Sequence, residues 1–521
     1  MKRDINPWFI AVTVTLATFM ELLDTAVANV SLPHIAGGMA TSYDESTWVL
    51  TSYLIANAVV LPLSAWLSRV FGRKNYYMGC VTLFTISSLL CGLAPSLSLL
   101  IVFRILQGIG GGGLAPVEQA ILVDTFPAAK RPAAFALYSM AIVTAPAVGP
   151  PLGGWITDSF SWRWVFFINI PIGIVSLILT SRLVSDPPEF KQEVDEARRA
   201  GKLRIDYVGI LLVAIGFACL EVVLDRGQLE DWLESSFIIG FLAIAVVAII
   251  AAIIWELRHD DPVIELALLK ERNFAIANGV YFLIGFVLFG STVLIPQMLQ
   301  SVYGYTATNA GLVLGPGAMV IVVMAPLVVR MVRQIPASVM IAFGFTVLGL
   351  SMWYYCSFNL ASDYAHEAWA RAVQGFGLAF LFVPTSQLAY SYLPKNKNNK
   401  ASSLTNLFRN WGGSFGVAFV TTMAARRAQY HQSVLVGHIT NFDASFNTTL
   451  AGITNHLVDY GYSAADGTMS GLRQVYGLLH QQAAMLAFLD CFWFLGVAAF
   501  AGPVLALFIR KFRIGGQAAG H

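Results

Sequence analysis

The sequence predicts an all-α membrane protein of about fourteen transmembrane helices, built as two six-helix halves in a parallel pseudo-repeat with two inserted helices between them. Three observations carry this expectation. The chain of 521 residues is 57% hydrophobic and 12% charged, about half the charged share of an ordinary soluble domain. Its mean hydropathy of +0.67 comes from separate apolar blocks of about twenty residues, the length that crosses a bilayer as a helix. The sequence also matches itself when displaced by 267 positions, for example from Arg104 to Arg371, and such self-similarity marks a repeated fold unit.

Gly, Pro and charged residues punctuate the apolar runs into helices at roughly 8–31, 47–70, 77–95, 99–124, 134–157, 164–184, 207–225, 235–256, 274–297, 309–329, 337–358, 369–393, 404–425 and 485–509. Lys2 and Arg3 ahead of the first run imitate a signal peptide, but its length and its acids, Glu21 and Asp24, fit a first transmembrane helix better. Of the 32 Lys and Arg residues, 24 fall in connections on one side, among them Arg69, Arg73, Lys74, Lys130, Arg198, Lys270, Arg333, Lys397 and Arg513. Cytoplasmic loops hold such an excess, so both termini are expected in the cytoplasm.

Within the repeat, Arg104-x-x-Gln107-Gly108 recurs as Arg371-x-x-Gln374-Gly375, Pro127 maps to Pro394, and Ala145-x-x-x-Gly149 maps to Gly412-x-x-x-Gly416. The first helix then maps to the ninth. An even number of helices between them gives both copies the same orientation. The expected organisation is residues 1–184 for the first half, 185–273 for a charged linker and the inserted helix pair, and 274–521 for the second half. A polar exterior stretch at about 426–484, rich in Asn, Thr, His and Gly, reads either as a disordered cap or as a docking surface.

Composition and motifs exclude several function classes. Lys plus Arg (32) nearly balances Asp plus Glu (30), leaving no basic excess for a nucleic-acid partner. The five cysteines lie inside apolar runs without a C-x-x-C or metal-ligand spacing. Gly108-x-Gly110-x-x-Gly113 copies a dinucleotide fingerprint in letters only, and Gly412-x-Ser414-x-Gly416 a nucleophile elbow; both lie in apolar helices, where small residues serve close packing. No phosphate-binding G-x-x-x-x-G-K-[ST] occurs. A transporter driven by an ion gradient is expected, with no catalytic or metal-ligating residues and no cofactor beyond protons as the coupling ion.

Several motifs resemble one family. Leu23-Asp24-Thr25-Ala26-Val27-Ala28-Asn29-Val30-Ser31-Leu32-Pro33 follows its first-helix motif with Ala26 and Ser31 as departures. Arg104, Gln107 and Gly108 supply its fourth-helix motif, and Ala145-x-x-x-Gly149-Pro150-x-x-Gly153-Gly154 its antiporter motif. Trp162-Arg163-Trp164-x-Phe166-Phe167-x-Asn169-x-Pro171 and Gly304-Tyr305-x-Ala307-x-x-Ala310-Gly311 follow it too. Over nearly its whole length the chain resembles the fourteen-helix drug:proton antiporters of the major facilitator superfamily, closest to EmrB-type multidrug export proteins. The resemblance implies proton-coupled efflux of hydrophobic drugs through the inner membrane. In a Gram-negative cell it also implies a periplasmic membrane-fusion adaptor and an outer-membrane channel. It places Arg104 in proton coupling and Gly72, Arg73, Gly108, Gly149, Pro150, Gly153 and Gly154 in gating. The loop Ala65-x-Leu67-Ser68-Arg69-Val70-x-Gly72-Arg73-Lys74 departs from the pattern, with Arg69 where an Asp of the gate latch is expected.

Acids inside apolar helices stand out physically, because an ionised carboxylate at mid-membrane must be paired, hydrated or protonated. Glu21 and Asp24, three residues apart and so on one helix face, and Glu118 are the proton-carrier candidates. For each, a scaffold role is the alternative: a hydrogen-bond network around Asp24, a local tie to Gln119 for Glu118. Glu221, on the inserted pair, and Asp490 read first as structural. Arg104 and Arg371 either snorkel to headgroups or pair with acids. Asn29, Gln107, Arg371, Phe282 and Phe286 are the candidates for the substrate cavity, although the Phe stripe fits lipid-facing packing equally well. A narrow-substrate metabolite or siderophore transporter and a non-transporting membrane sensor remain the rival functions.

Overall fold

The computed structural model describes residues 6–127, 129–187, 206–259, 262–393, 397–437, 439–440 and 442–510. Most of the expected charged linker, and Pro394 of the repeat, lie outside the described residues. The described residues are helical, with short 3-10 segments at Trp232–Glu234 and Leu266–Lys270. In chain order the long helices are α1 (Pro7–Met39), α2 (Trp48–Phe71), α3 (Arg73–Leu93), α4 (Leu97–Thr125, interrupted after Gly111), α5 (Arg131–Ser159) and α6 (Trp164–Leu183). There follow α7 (Tyr207–Arg226), α8 (Ser236–Arg258), α9 (Arg272–Ser301), α10 (Thr308–Met331), α11 (Ala337–Tyr355) and α12 (Tyr364–Ala389). The last three are α13 (Asn398–Val436), α14 (Ala444–Asp459) and α15 (Ala464–Leu507).

Thirteen of these helices are long and apolar enough to cross a membrane, and α13, which takes the place of α5 in the second half, is the fourteenth. Its lower hydropathy has a structural cause. Asn399, Asn406 and Arg409 are buried against the first half rather than turned to lipid.

The repeat is visible in the packing. In the first half α1 lies on α5, α2 on α4 and α3 on α6; in the second, α9 lies on α13, α10 on α12 and α11 on α15. Helices α7 and α8 pack as a hairpin, and α7 also touches α2 and α13, one from each half. The outer face of α8 exposes Ile239, Val246, Val247, Ile250 and Ile254, as a helix facing lipid does.

Direct hydrogen bonds between the halves gather at the end that carries the basic loops. Ser403 donates to the carbonyls of Leu61 (2.9 Å) and Pro62 (3.1 Å). Ser402 donates to the carbonyl of Pro116 (2.8 Å), Asn399 to Ser68 (3.3 Å) and Tyr138 to Asn406 (3.0 Å). Toward the opposite end, no hydrogen bond or ion pair joins α1 to α9 among the described residues. There the inserted α7 bridges the halves: Ser414 donates to Glu221 at 3.0 Å, and Thr51 donates to Asp225.

The stretch at about 426–484 corrects the expectation of a disordered cap, since its described residues are mostly helical. Helix α13 continues to Val436, α14 follows, and α15 begins at Ala464, well before its apolar part. The residues that read as loop are cap-formers. Asp443 accepts from the amides of Ser445 and Phe446, and Ser463 accepts from that of Asp466, each satisfying donors at a helix start. Asp490 clamps this layer to the bundle through Arg427 (2.5 Å) and His431 (2.7 Å).

Candidate functional site

Helix α1 carries Asp24 into the middle of the first half, where it is 1% exposed. Arg104 of α4 donates Nη1 to its Oδ2 at 2.6 Å. Gln107, one helical turn further, donates to Oδ1 at 3.0 Å, and Asn169 of α6 donates to the same oxygen at 2.6 Å. Ser88 of α3 accepts from both Gln107 (3.2 Å) and Asn169 (2.9 Å). Arg104, 0% exposed, is further held by the Val49 carbonyl at 3.0 Å and by the Tyr53 ring 4.3 Å from its guanidinium carbon. The snorkelling alternative for Arg104 is therefore corrected: the side chain points into the bundle and closes a buried ion pair. Such a pair is costly to break by removing one partner, because the other charge stays buried alone.

Glu21 lies on the same helix but in a different set of contacts. The Tyr53 hydroxyl (3.0 Å) and the Asn57 amide (3.1 Å) both donate to its Oε1. Tyr53 thus links the two sets of contacts, with its hydroxyl on Glu21 and its ring against Arg104, the partner of Asp24. Glu118, in the lower part of α4, is 0% exposed and accepts from Thr15 at 2.5 Å, while its second oxygen has no partner. The local tie to Gln119 expected as its alternative is not formed; Gln119 accepts from Thr405 of α13 at 3.4 Å. Arg409 reaches across from α13 and donates to the Tyr138 hydroxyl.

Gly72 and Arg73, the expected gate residues, lie at the basic end. Gly72 adopts φ 84°, a left-handed conformation that suits glycine, and turns the chain between α2 and α3. Arg73 pairs with Asp124 at the end of α4, and Asn398 of α13 donates to the same carboxylate at 3.0 Å. Asp124, which the local motif does not contain, is thus the acid that Arg73 meets. Beside it Glu265 meets Lys397 and Lys400. Burial alone would raise the Glu265 carboxyl, but these two ammonium groups hold it below the usual carboxylate range.

The antiporter motif on α5 lets three helices approach. A Cβ on Gly149 would stand 2.4 Å from that of Ala26 on α1, and one on Gly153 would stand 3.1 Å from the Val27 carbonyl. On the other side of α5, Gly154 faces Thr308 of the second half, and Pro150 and Pro151 pack on Gly311, where a Cβ would meet Pro151 at 2.4 Å. Gly108 seats α4 against the Tyr53 carbonyl of α2 in the same way.

Of the cavity candidates, Asn29 is exposed on α1 and Gln107 belongs to the Asp24 network. Phe282 and Phe286 form a ladder with Phe415 (6.0 Å) and Phe419 (5.6 Å) of α13, and Phe419 meets Phe494 of α15 at 5.9 Å. These contacts put both rings in the groove between α9, α13 and α15. Arg371 is 2% exposed and donates to Gln374 at 2.5 Å; like Arg104, it does not snorkel. Glu221 accepts from Ser414, as described above. Sequence reading missed Tyr53, Asn57, Tyr138 and Arg409, which lie in no quoted motif. Asn169 was within a quoted motif but carried no charge to draw attention.

The family model described as Major Facilitator Superfamily matches residues 14–417. The chain belongs to that superfamily of membrane transporters. It is 36% identical over 505 residues to "Multidrug export protein EmrB" of Escherichia coli strain K12, covering 94% of each chain. It is also 36% identical over 465 residues, 89% of each chain, to "Fatty acid resistance protein FarB" of Neisseria gonorrhoeae. Among solved structures, the proton:xylose symporter XylE superposes with a TM-score of 0.60 at 16% identity, over 97% of this chain and 96% of that one, which supports the fold. This superfamily member is a multi-pass membrane transporter, and the Asp24–Arg104 pair sits in its first six-helix half.

Proposed function

We propose that the chain exports hydrophobic and amphipathic toxic compounds by alternating access, in exchange for protons. The buried Asp24–Arg104 pair carries this reading. A proton arriving on Asp24 neutralises the carboxylate that Arg104, Gln107 and Asn169 hold, and frees α1 and α4 to shift relative to one another. The relatives' printed names, multidrug export and fatty acid resistance, support substrates of this class. The interhalf bonds at the basic end support an assignment of the described state as closed toward the cytoplasm, with the basic loops and both termini on that side. Rocking the halves about the α5–α10 contact would open it. The driving force suffices, since a charge gains about 2.3 kcal/mol per 100 mV and each pH unit adds about 1.4 kcal/mol.

We place a periplasmic adaptor, and an outer-membrane channel beyond it, at the layer formed by the end of α13, α14 and the start of α15. Exposed Tyr430, Phe442, Tyr460 and Tyr476 give that layer the aromatic surface that partner interfaces favour.

A pH-sensitive dye enclosed in proteoliposomes tests antiport. Ethidium added to wild-type vesicles should move protons, and Asp24→Asn should abolish the movement. Retained movement in the variant would shift the carrier role to Glu21 or Glu118. A wild type silent toward a broad drug panel but active on one metabolite or siderophore would favour the narrow-substrate alternative, and no flux of any kind would favour a sensor.

A further inference from the structure

The second half repeats the Arg-x-x-Gln core of the first-half polar site, with a serine in the place of the acid. Helices α4 and α12 begin at Leu97 and Tyr364, and their arginines and glutamines follow at Arg104 and Gln107, and at Arg371 and Gln374; each pair differs by 267. Position 24 plus 267 is 291, where Ser291 replaces the acid, and Gln374 donates to the Ser291 hydroxyl at 2.7 Å as Gln107 donates to Asp24. Arg371 keeps its bond to Gln374 and gains one to Thr292 at 3.4 Å. Among the described residues it has no carboxylate within ion-pair distance.

A carboxyl group nonetheless lies one turn away. Glu367 precedes Arg371 by four residues on α12, so the two share a helix face. Glu367 is 1% exposed, and neither of its oxygens has a hydrogen-bond partner. The Tyr355 hydroxyl of α11, which feels the charges of both Glu367 and Arg371, is a third buried polar atom here without a partner. Three orphan polar atoms beside an arginine that lacks a counter-ion are unusual for a purely structural site, where such groups satisfy one another.

We propose that Glu367 is a second proton-binding carboxyl of the transport cycle, serving the C-terminal half. This rests on the proton-coupled reading given above. The protonated acid suits the described arrangement, in which nothing donates to its oxygens. When Glu367 gives its proton to water, the carboxylate left behind pairs with the Arg371 guanidinium one turn deeper. Gly317 of α10 gives that guanidinium room, since a Cβ there would stand 3.0 Å from Arg371 Cγ and 3.2 Å from Nε. Access is from the end opposite the basic loops, because Glu367 lies in the first turn of α12, directly below the capping residue Asp363.

The groups facing Glu367 are few. Tyr303 and Tyr305 come from the connection after α9, Tyr355 comes from α11, and Asp363, His366 and Arg371 lie on its own helix. The Tyr303 phenol is pushed up to about 12, first by burial and next by the Glu367 charge. Among the described residues, no side chain of another helix donates a hydrogen bond to Glu367.

The test uses the full chain in proteoliposomes with ethidium as the probe. Wild type, Asp24→Asn, Glu367→Gln and Glu367→Asp are compared for downhill ethidium flux, for its pH profile and for protons moved per ethidium. Glu367→Gln should keep downhill flux while fewer protons move per ethidium and the pH profile flattens; Glu367→Asp should keep proton movement with a displaced profile. An unchanged proton ratio and unchanged profile in Glu367→Gln would overturn the proposal. If Glu367→Gln does not fold, Glu367→Asp decides: a displaced profile supports the proposal and an unchanged one overturns it. A wild type that moves no protons overturns the transport reading and this proposal together, whereas an active wild type with an indifferent Glu367→Gln overturns this proposal alone.

Discussion

Ser291 holds, in the second half, the place that Asp24 holds in the first: each sits on the leading helix of its half and accepts from the glutamine of the repeated Arg-x-x-Gln motif, at 2.7 Å and 3.0 Å. The scaffold is thus duplicated while the charge is not. Arg104 is neutralised by a neighbour on another helix, so its environment changes whenever α1 and α4 move apart. Among the described residues Arg371 has no such partner, and the nearest acid in the sequence, Glu367, lies on its own helix.

Breaking the first-half pair should damage both transport and stability. Asp24→Ala is expected to lower stability by about 3–5 kcal/mol, because Arg104 is left buried and unpaired. The double variant Asp24→Asn with Arg104→Gln should recover part of that loss without recovering proton-coupled efflux. Thermal unfolding in detergent alongside the vesicle assay separates the two effects; an efflux-competent double variant would remove the pair from the mechanism.

Gly149 tests the helix approach on α5. Gly149→Val must displace Ala26 on α1, an overpacking cost of about 1–3 kcal/mol, and Gly311→Val must displace Pro150 and Pro151 across the halves. Both should slow alternation more than they weaken drug binding. The expected readout is a fall in ethidium flux with little change in ethidium affinity by fluorescence polarisation.

At the basic end, Arg73→Ala or Asp124→Asn should loosen the latch to Asn398. A cysteine placed at Ser403, which bonds the carbonyls of Leu61 and Pro62, should then label faster with an impermeant maleimide from that side. Labelling no faster than in the parent would mean that the latch does not control this opening.

The Glu265 cluster predicts a pH effect whose direction is set by its lowered carboxyl. A group depressed in the folded state stabilises above its unfolded value and loses that contribution as pH falls through the folded one. Acid should therefore weaken the Lys397–Glu265–Lys400 contacts below the ordinary carboxylate range, with no effect near neutrality. Glu265→Gln should be less stable than wild type at neutral pH and should lose less on acidification, as unfolding curves at several pH values would record.

The aromatic ladder should serve packing rather than selectivity. Phe286→Ala is expected to cost less than the truncation of a fully buried Phe, about 3–5 kcal/mol, because the ring is only half-buried, and the ranking of exported compounds should persist. A changed ranking at unchanged stability would return Phe286 to the cavity.

Hydropathy alone located the apolar, membrane-spanning part of most helices, because bilayer thickness sets the length of an apolar run. The displacement by 267 likewise determined the parallel halves, and an acid in such a run was enough to single out Asp24, Glu21 and Glu118. The tertiary structure decided what no spacing records, namely which helix brings the partner. Asn169 reaches Asp24 from 145 residues away, Asp124 meets Asn398 from 274 away, and Tyr53 contacts both Glu21 and Arg104. It also turned a polar stretch into the end of α13, the whole of α14 and the start of α15, since Asn, Thr and Gly read as loop until capping and packing against a neighbour satisfy them. Glu367 belongs to the same class: it stands just ahead of the expected helix 369–393, and its lack of a hydrogen-bond partner among the described residues is visible only once the neighbouring helices are in place.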